Sequence, residues 1–180
     1  MKKYVALLRG INVSGKNKIG MAELKKAMLD VGYSSVKTYL NSGNVLFCSN
    51  KSKEELSLRI HELIVAHFGL DIPVLVEELS IIKDALSHAP SWWGSENKEI
   101  YDNLIFVFPE TTPEHIYSLI GDPTEGLEQI EMYNQFIFWS FDLKKHAKAN
   151  WWKKTAAPGI GEYLTIRTAN TVRKLVEMGL

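Results

Sequence analysis

The chain has 180 residues, 46% hydrophobic and 23% charged, the composition of an ordinary globular protein long enough for one good core or two small ones. Its 21 cations balance its 21 acids, which argues against a general nucleic-acid or anionic-membrane binder. No apolar run nears the roughly 18 residues of a membrane span, Lys2-Lys3 and the short run after it make a poor signal peptide, and a lone Cys48 allows neither an internal disulfide nor a thiolate metal cluster, so a cytoplasmic setting is expected.

Tyr4 to Leu8 is apolar throughout and reads as a strand covered on both faces. From Met21, the set Met21, Leu24, Met28 and Val31 follows helical spacing up to Gly32. Val36 to Leu40 and Val45 to Phe47 flank Asn41-Ser42-Gly43-Asn44, a β-hairpin signature. Ser52 and Glu55 open a helix carrying Leu56, Ile60, Leu63, Ile64 and Phe68, closed by Gly69, and Pro73 admits a strand over Val74 to Glu77. Strand, helix, strand, strand, helix, strand is the ferredoxin-like split βαβ plan with an antiparallel sheet.

The second half begins with a helix from Ser80 to Ala89 and a linker containing Trp92, Trp93 and Gly94. Leu104 to Phe108 is a strand, Thr112-Pro113 starts a helix, and Gly126 to Tyr133 with Phe136 to Phe141 form a hairpin around Asn134-Gln135. Leu143 to Lys154 reads as a basic helix, Leu164 to Ile166 as a short strand, and Asn170 to Met178 as a helix. The expected fold class is therefore α+β: a ferredoxin-like subdomain over residues 1–79, a connecting helix and loop over 80–102, and a second α+β subdomain of similar element order over 103–180, packed on the first and suggesting duplication.

The loop after the first strand carries the most suggestive chemistry. Gly10 to Lys16 matches GxxxxGK, but Asn17 replaces the Mg²⁺-binding hydroxyl, the helix starts late, and a hairpin contradicts the parallel sheet of a P-loop nucleotidase. An RNA-recognition sheet is disfavoured too, since Ser42 and Asn44 stand where stacking aromatics belong. Charge is uneven: residues 1–20 hold five cations and no acid, 96–142 hold ten acids against Lys98, and 143–180 hold eight cations against two acids. Lys144, Lys145, Lys148, Lys153 and Lys154 with Trp151 and Trp152 could hold phosphates and stack bases, although an amphipathic helix with solvated lysines explains them more simply. The five histidines lack ligand spacing, and neither a catalytic constellation, a metal site nor a cofactor can be named.

Three segments, Arg9-Gly10-Ile11-Asn12-Val13, Lys18 to Leu24, and Thr38 to Val45, resemble those of an uncharacterised, largely bacterial family, domain of unknown function 1697. Arg167-Thr168-Ala169-Asn170-Thr171-Val172 resembles that family's Thr-Arg-x-Trp-Asn-Thr-Val segment, with Ala169 in place of the usual tryptophan and Ser14 in place of a frequent glycine. Residues 80–135 and Lys144 to Tyr163 follow the family only loosely. The resemblance implies an α+β fold with ferredoxin-like parts and no activity. If the family tryptophan stacks on a ligand, Trp151 or Trp152 would have to replace it here.

Because the first and third strands run antiparallel, Arg9 to Asn12 should meet Asn41 to Asn44 at one edge. The expected site is a polar pocket for a small anionic or phosphate-bearing ligand, with charge from Arg9, Lys16 and Arg167 and orientation from Asn12, Asn41, Ser42, Asn44, Asn170 and Thr171. The competing reading makes the same side chains a structural bridge. Two alternatives use other features: a nucleic-acid partner on the basic ends, or a protein partner on exposed tryptophans.

Overall fold

The computed structural model describes all 180 residues, which form two compact units: Met1–Lys83 with Leu175–Leu180, and Asp84–Lys174. The first unit contains β1 (Lys2–Leu8), α1 (Met21–Asp30), β2 (Ser34–Tyr39), β3 (Asn44–Ser49), α2 (Lys53–Phe68) and β4 (Val74–Glu78). Its antiparallel sheet has the order β2-β3-β1-β4, the split βαβ arrangement expected from the sequence. Tyr4, Ala6 and Leu8 of β1 point to the face that packs on Leu24 and Met28 of α1 and on Leu56, Ile60 and Ile64 of α2, while Val5 and Leu7 are buried on the other face.

Local signals explain most of the boundaries. Ser52 caps α2 by accepting the Glu55 N–H at 3.2 Å, but the Glu55 carboxylate pairs with Lys51 and Arg59 instead of closing the capping box. Val31 departs from its expected inward place: α1 ends before it, Val31 is exposed, and Ala27 completes the buried stripe.

The expected break at 79/80 falls later, within α3 (Leu79–Ser87), and the last six residues return to the first unit through α6 (Ala169–Met178). There Lys3 and Lys37 donate to the carbonyls of Gly179 and Met178 at 2.7 and 3.0 Å, placing cations at the negative end of α6.

In the second unit, β5 (Ile100–Val107), α4 (Pro113–Ile120), β6 (Glu128–Tyr133), β7 (Phe136–Asp142) and β8 (Leu164–Thr168) build an antiparallel sheet of order β6-β7-β5-β8. Its strand order repeats that of the first. Ile105 and Val107 of β5 pack with Ile116 and Ile120 of α4 in one apolar cluster.

The crossover from β7 to β8 corrects the expected basic helix. Leu143–Lys148 is a 3₁₀ turn, the chain extends at Ala149, and only α5 (Asn150–Lys154) is α-helical. The break has a tertiary cause. Asp142 accepts the Lys144 and Lys145 N–H groups and starts the first turn, whereas Thr124 Oγ1 accepts the Asn150 N–H and the Glu128 carboxylate accepts that of Trp151, fixing a second start. Where the first unit has a 16-residue crossover helix, the second has one of 5 residues.

Candidate functional site

Two loops of the first unit meet in a polar corner. Leu7 pairs with Asn44, and the Leu8 N–H donates to the Gly43 carbonyl at 2.9 Å, so the loop after β1 meets the β2–β3 turn. Asn12, at φ 54°, donates through Nδ2 to the carbonyls of Ile19 and Asn41 at 3.0 and 2.8 Å, and its Oδ1 accepts the Ile19 N–H at 2.9 Å. Asn17 donates to the Gly10 carbonyl, and Asn44, wholly buried, donates to the Tyr39 carbonyl and to Ser42 Oγ. These amides organise the loops and hold Ile11 and Ile19 in the core. Lys16, at the tip, is exposed, and the Arg9 N–H donates to the Pro73 carbonyl at 3.0 Å.

Arg167, Asn170 and Thr171 belong to the second unit. Arg167 is buried, with Nη1 donating to Thr165 Oγ1 and to the Ile166 carbonyl, both at 2.9 Å. Burial pushes its guanidinium down to about 10, still protonated at neutral pH. The hydroxyls of Thr171 and Thr168 lie 3.0 Å apart, and the Thr171 N–H donates to Thr168 at the start of α6. Asn170 is exposed on that first turn.

The expected tryptophan patch does not form from Trp93 or Trp151. Trp93 is buried, donates to the Asn103 carbonyl at 2.7 Å and meets Phe138 edge-on. Trp151 is fully buried and donates to the Gly121 carbonyl at 3.0 Å, where Lys154 and Asn150 also cap the end of α4. Trp152, by contrast, is 44% exposed.

Trp152 borders a cleft in the second unit that sequence reasoning missed. Tyr101, Asn103, Ile105 and Val107 alternate onto the α4 face of β5. The short crossover covers only part of that face, leaving a cleft of about 430 Å³. The strand register builds its floor: Asn103 lies between Trp139 of β7 and Thr168 of β8, and Tyr101 lies opposite Phe141. Ile166 closes the back, and Trp152, Thr155 and Ala156 form the remaining wall. Ring centroids run Tyr101–Phe141 5.4 Å, Phe141–Trp139 4.7 Å and Phe141–Trp152 5.3 Å. Aromatic walls with a few inward amide and hydroxyl groups are the usual make-up of a small-molecule site.

The Glu128 carboxylate steadies this wall from beneath, accepting from Trp139 Nε1 at 3.2 Å, the Trp151 N–H at 3.0 Å and the Thr124 N–H at 2.9 Å. A larger cleft of about 650 Å³ lies in the first unit beside Tyr33, Cys48 and Arg59, but its cations Lys51 and Arg59 are both paired with Glu55, and no set of aromatic walls converges there. No three His, Cys, Asp or Glu side chains gather to hold a metal ion. No helix is long and apolar enough to cross a membrane.

The family model described as "Protein of unknown function (DUF1697)" matches residues 1–138. The chain belongs to this family. The solved structure of the conserved bacterial protein SP0830 from Streptococcus pneumoniae resembles it with a TM-score of 0.86 at 27% identity, covering 99% of each chain. No curated protein matches the chain. The match to the family ends within β7, so of the residues that line the cleft only Tyr101 and Asn103 lie inside the matched residues, and Arg167, Asn170 and Thr171 lie outside them too.

Two features of the sequence kept the cleft hidden. Lys144 to Tyr163 departs from the family's pattern, and that stretch is the short crossover. Tyr101-Asp102-Asn103 interrupts the apolar run of β5, so the strand was expected to start at Leu104 and its cleft-lining end read as linker.

Proposed function

We propose that this protein binds a small planar aromatic ligand in the cleft between β5, β7, β8 and Trp152, within the cytoplasm. The observation that carries this reading is the register row Trp139–Asn103–Thr168, which sets hydrogen-bonding side chains on the floor of an otherwise aromatic cleft. A volume of about 430 Å³ lies within the range of cavities that enclose drug-sized ligands. Cytoplasmic residence rests on the single Cys48 and the lack of any disulfide demand. In this reading the corner formed by Asn12, Asn41, Ser42 and Asn44 is scaffolding, since Asn12 makes three bonds to Ile19 and Asn41 and Asn44 is wholly buried, whereas the Asn103 side chain makes one local bond, from Nδ2 to the Tyr101 carbonyl at 3.1 Å, and lines the cleft.

The test is a two-dimensional NMR titration of the full chain with uncharged bicyclic aromatics such as indole and quinoline. Saturable shifts should concentrate on the Trp152 indole N–H and the Asn103 amide, and Trp152→Ala should weaken binding by about tenfold. Shifts scattered over both units, or none at millimolar probe, would remove the reading.

A further inference from the structure

We propose that the ligand of this cleft is a nucleoside monophosphate, with its base stacked on Trp152 and its phosphate met by lysines of the β7–β8 crossover. The proposal rests on the cleft reading above and adds the chemical class of the ligand.

The first support is where charge lies. Residues 96–142 carry ten acids against one lysine, yet the crossover that walls the cleft has five lysines and no acid between Asp142 and Glu162. Lys144 pairs with Glu99 and Lys154 caps α4, which leaves Lys145, Lys148 and Lys153 exposed and outside the ion pairs of the second unit. A basic rim on an acidic unit concentrates positive potential at the mouth of the cleft.

The second support is contact between that rim and the stacking surface. The His146 ring meets the Trp152 ring edge-on, with centroids 4.7 Å apart, so the 3₁₀ turn bearing Lys145 and Lys148 borders the tryptophan, and Lys153 follows it directly on α5. An aromatic face beside cations is the combination that holds a base and its phosphate.

The third is the neutrality of the floor. Asn103, Thr155 and Thr168 offer amide and hydroxyl groups, matched to the edge of a nucleobase, while charge stays at the rim. A mononucleotide fits this division better than a polynucleotide, whose further phosphates would leave the five lysines of the crossover for a unit in which residues 96–142 carry ten acids against one lysine.

Calorimetric titration of the full chain with AMP, GMP, CMP and UMP, the four nucleosides, inorganic phosphate and a short single-stranded oligonucleotide tests the proposal. At least one monophosphate should bind about tenfold more tightly than its nucleoside, and more weakly as salt rises from about 50 to 500 mM. Trp152→Ala should reduce that affinity about tenfold while the protein stays folded by far-ultraviolet circular dichroism, and Trp152→Phe, which keeps an aromatic face, should restore part of it. The double substitution Lys148→Ala with Lys153→Ala should flatten the salt dependence while leaving nucleoside affinity unchanged.

Equal, salt-independent binding of nucleoside and monophosphate, both lost in Trp152→Ala, would overturn the nucleotide assignment and keep the cleft. Binding of inorganic phosphate alone, indifferent to Trp152, or of no compound at all, would overturn both. Tighter binding of the oligonucleotide than of any monophosphate would replace the proposal with a nucleic-acid partner.

Discussion

Asn12 Nδ2 donates to the carbonyl of Asn41 at 2.8 Å, joining the loop after β1 to the turn between β2 and β3 across 29 residues of sequence. The same side chain exchanges two bonds with Ile19, and its backbone sits at φ 54°, where asparagine is tolerated far better than most residues. Asn12→Ala should cost about 2–3 kcal/mol through lost hydrogen bonds and backbone strain. Asn12→Gly should cost less, because glycine restores the backbone freedom. Urea denaturation of the two variants checks the order; equal losses would show that backbone strain is negligible.

Gly43 carries a sharper steric demand. At φ 87° in the same corner, a Cβ would stand 2.7 Å from Leu8 Cβ and 2.9 Å from Ile11 Cδ1. Leu8 is fixed in the central strand and Ile11 in the core, so neither can yield cheaply. Gly43→Ala should destabilise the protein by about 2–4 kcal/mol, measurable as a lowered denaturation midpoint with unchanged slope.

Glu128 has a buried carboxylate whose acceptors serve Trp139, Trp151 and Thr124. Glu128→Gln keeps the shape but turns an NH₂ group toward those donors, so a loss of about 1–3 kcal/mol is expected. Because Trp139 and Trp151 bond to this carboxylate, their near-ultraviolet circular dichroism should change as well.

Asp102 gives the pH-dependent case. It is buried, Oδ2 accepts the Ser95 N–H at 3.1 Å, and Oδ1 has no hydrogen-bond partner. Burial raises its pKa above the ordinary aspartate value, opposed by the N–H groups of Gly94 and Ser95 and by the charge of Arg173. A raised acid binds its proton more tightly when folded. Its contribution to stability is therefore complete below the unfolded value near 3.8 and is lost as pH rises through the higher folded value. Asp102→Asn removes that loss, so its stability relative to the wild type should rise as pH climbs from below 3.8 and level off once the raised folded value is passed. Thermal melts across that range test it; a pH-independent difference would contradict the sign.

Much of the fold was legible because core and turn chemistry coincide in the first unit. The all-apolar run Tyr4 to Leu8 is β1, Ser52 and Gly69 bracket α2, and Asn41 to Asn44 makes the hairpin that brings Asn12 and Asn41 together. In the second unit, distant partners decide what local pattern cannot. Lys144 to Lys154 has good helix formers, yet Glu128 and Thr124 capture the N–H groups of Trp151 and Asn150 and divide the helix. Polar Tyr101 to Asn103 reads as loop until its pairing with β7 and β8 makes it a strand. The polar corner was visible as a cluster, but sequence could not tell whether its amides faced one another or a ligand; the cleft depends on register across three strands and had no linear signature.

The five-residue helix of the second crossover separates two demands that usually compete. The sheet beneath is closed by its own backbone ladder, while the shape and charge above it come from residues 143–163, a connection that takes no part in that ladder. Buried Trp151 and the α4-capping Asn150 and Lys154 tie this connection to the framework, whereas Lys145, Lys148, Trp152 and Lys153 are exposed, so a library confined to those four positions should vary in what it captures far more than in whether it folds.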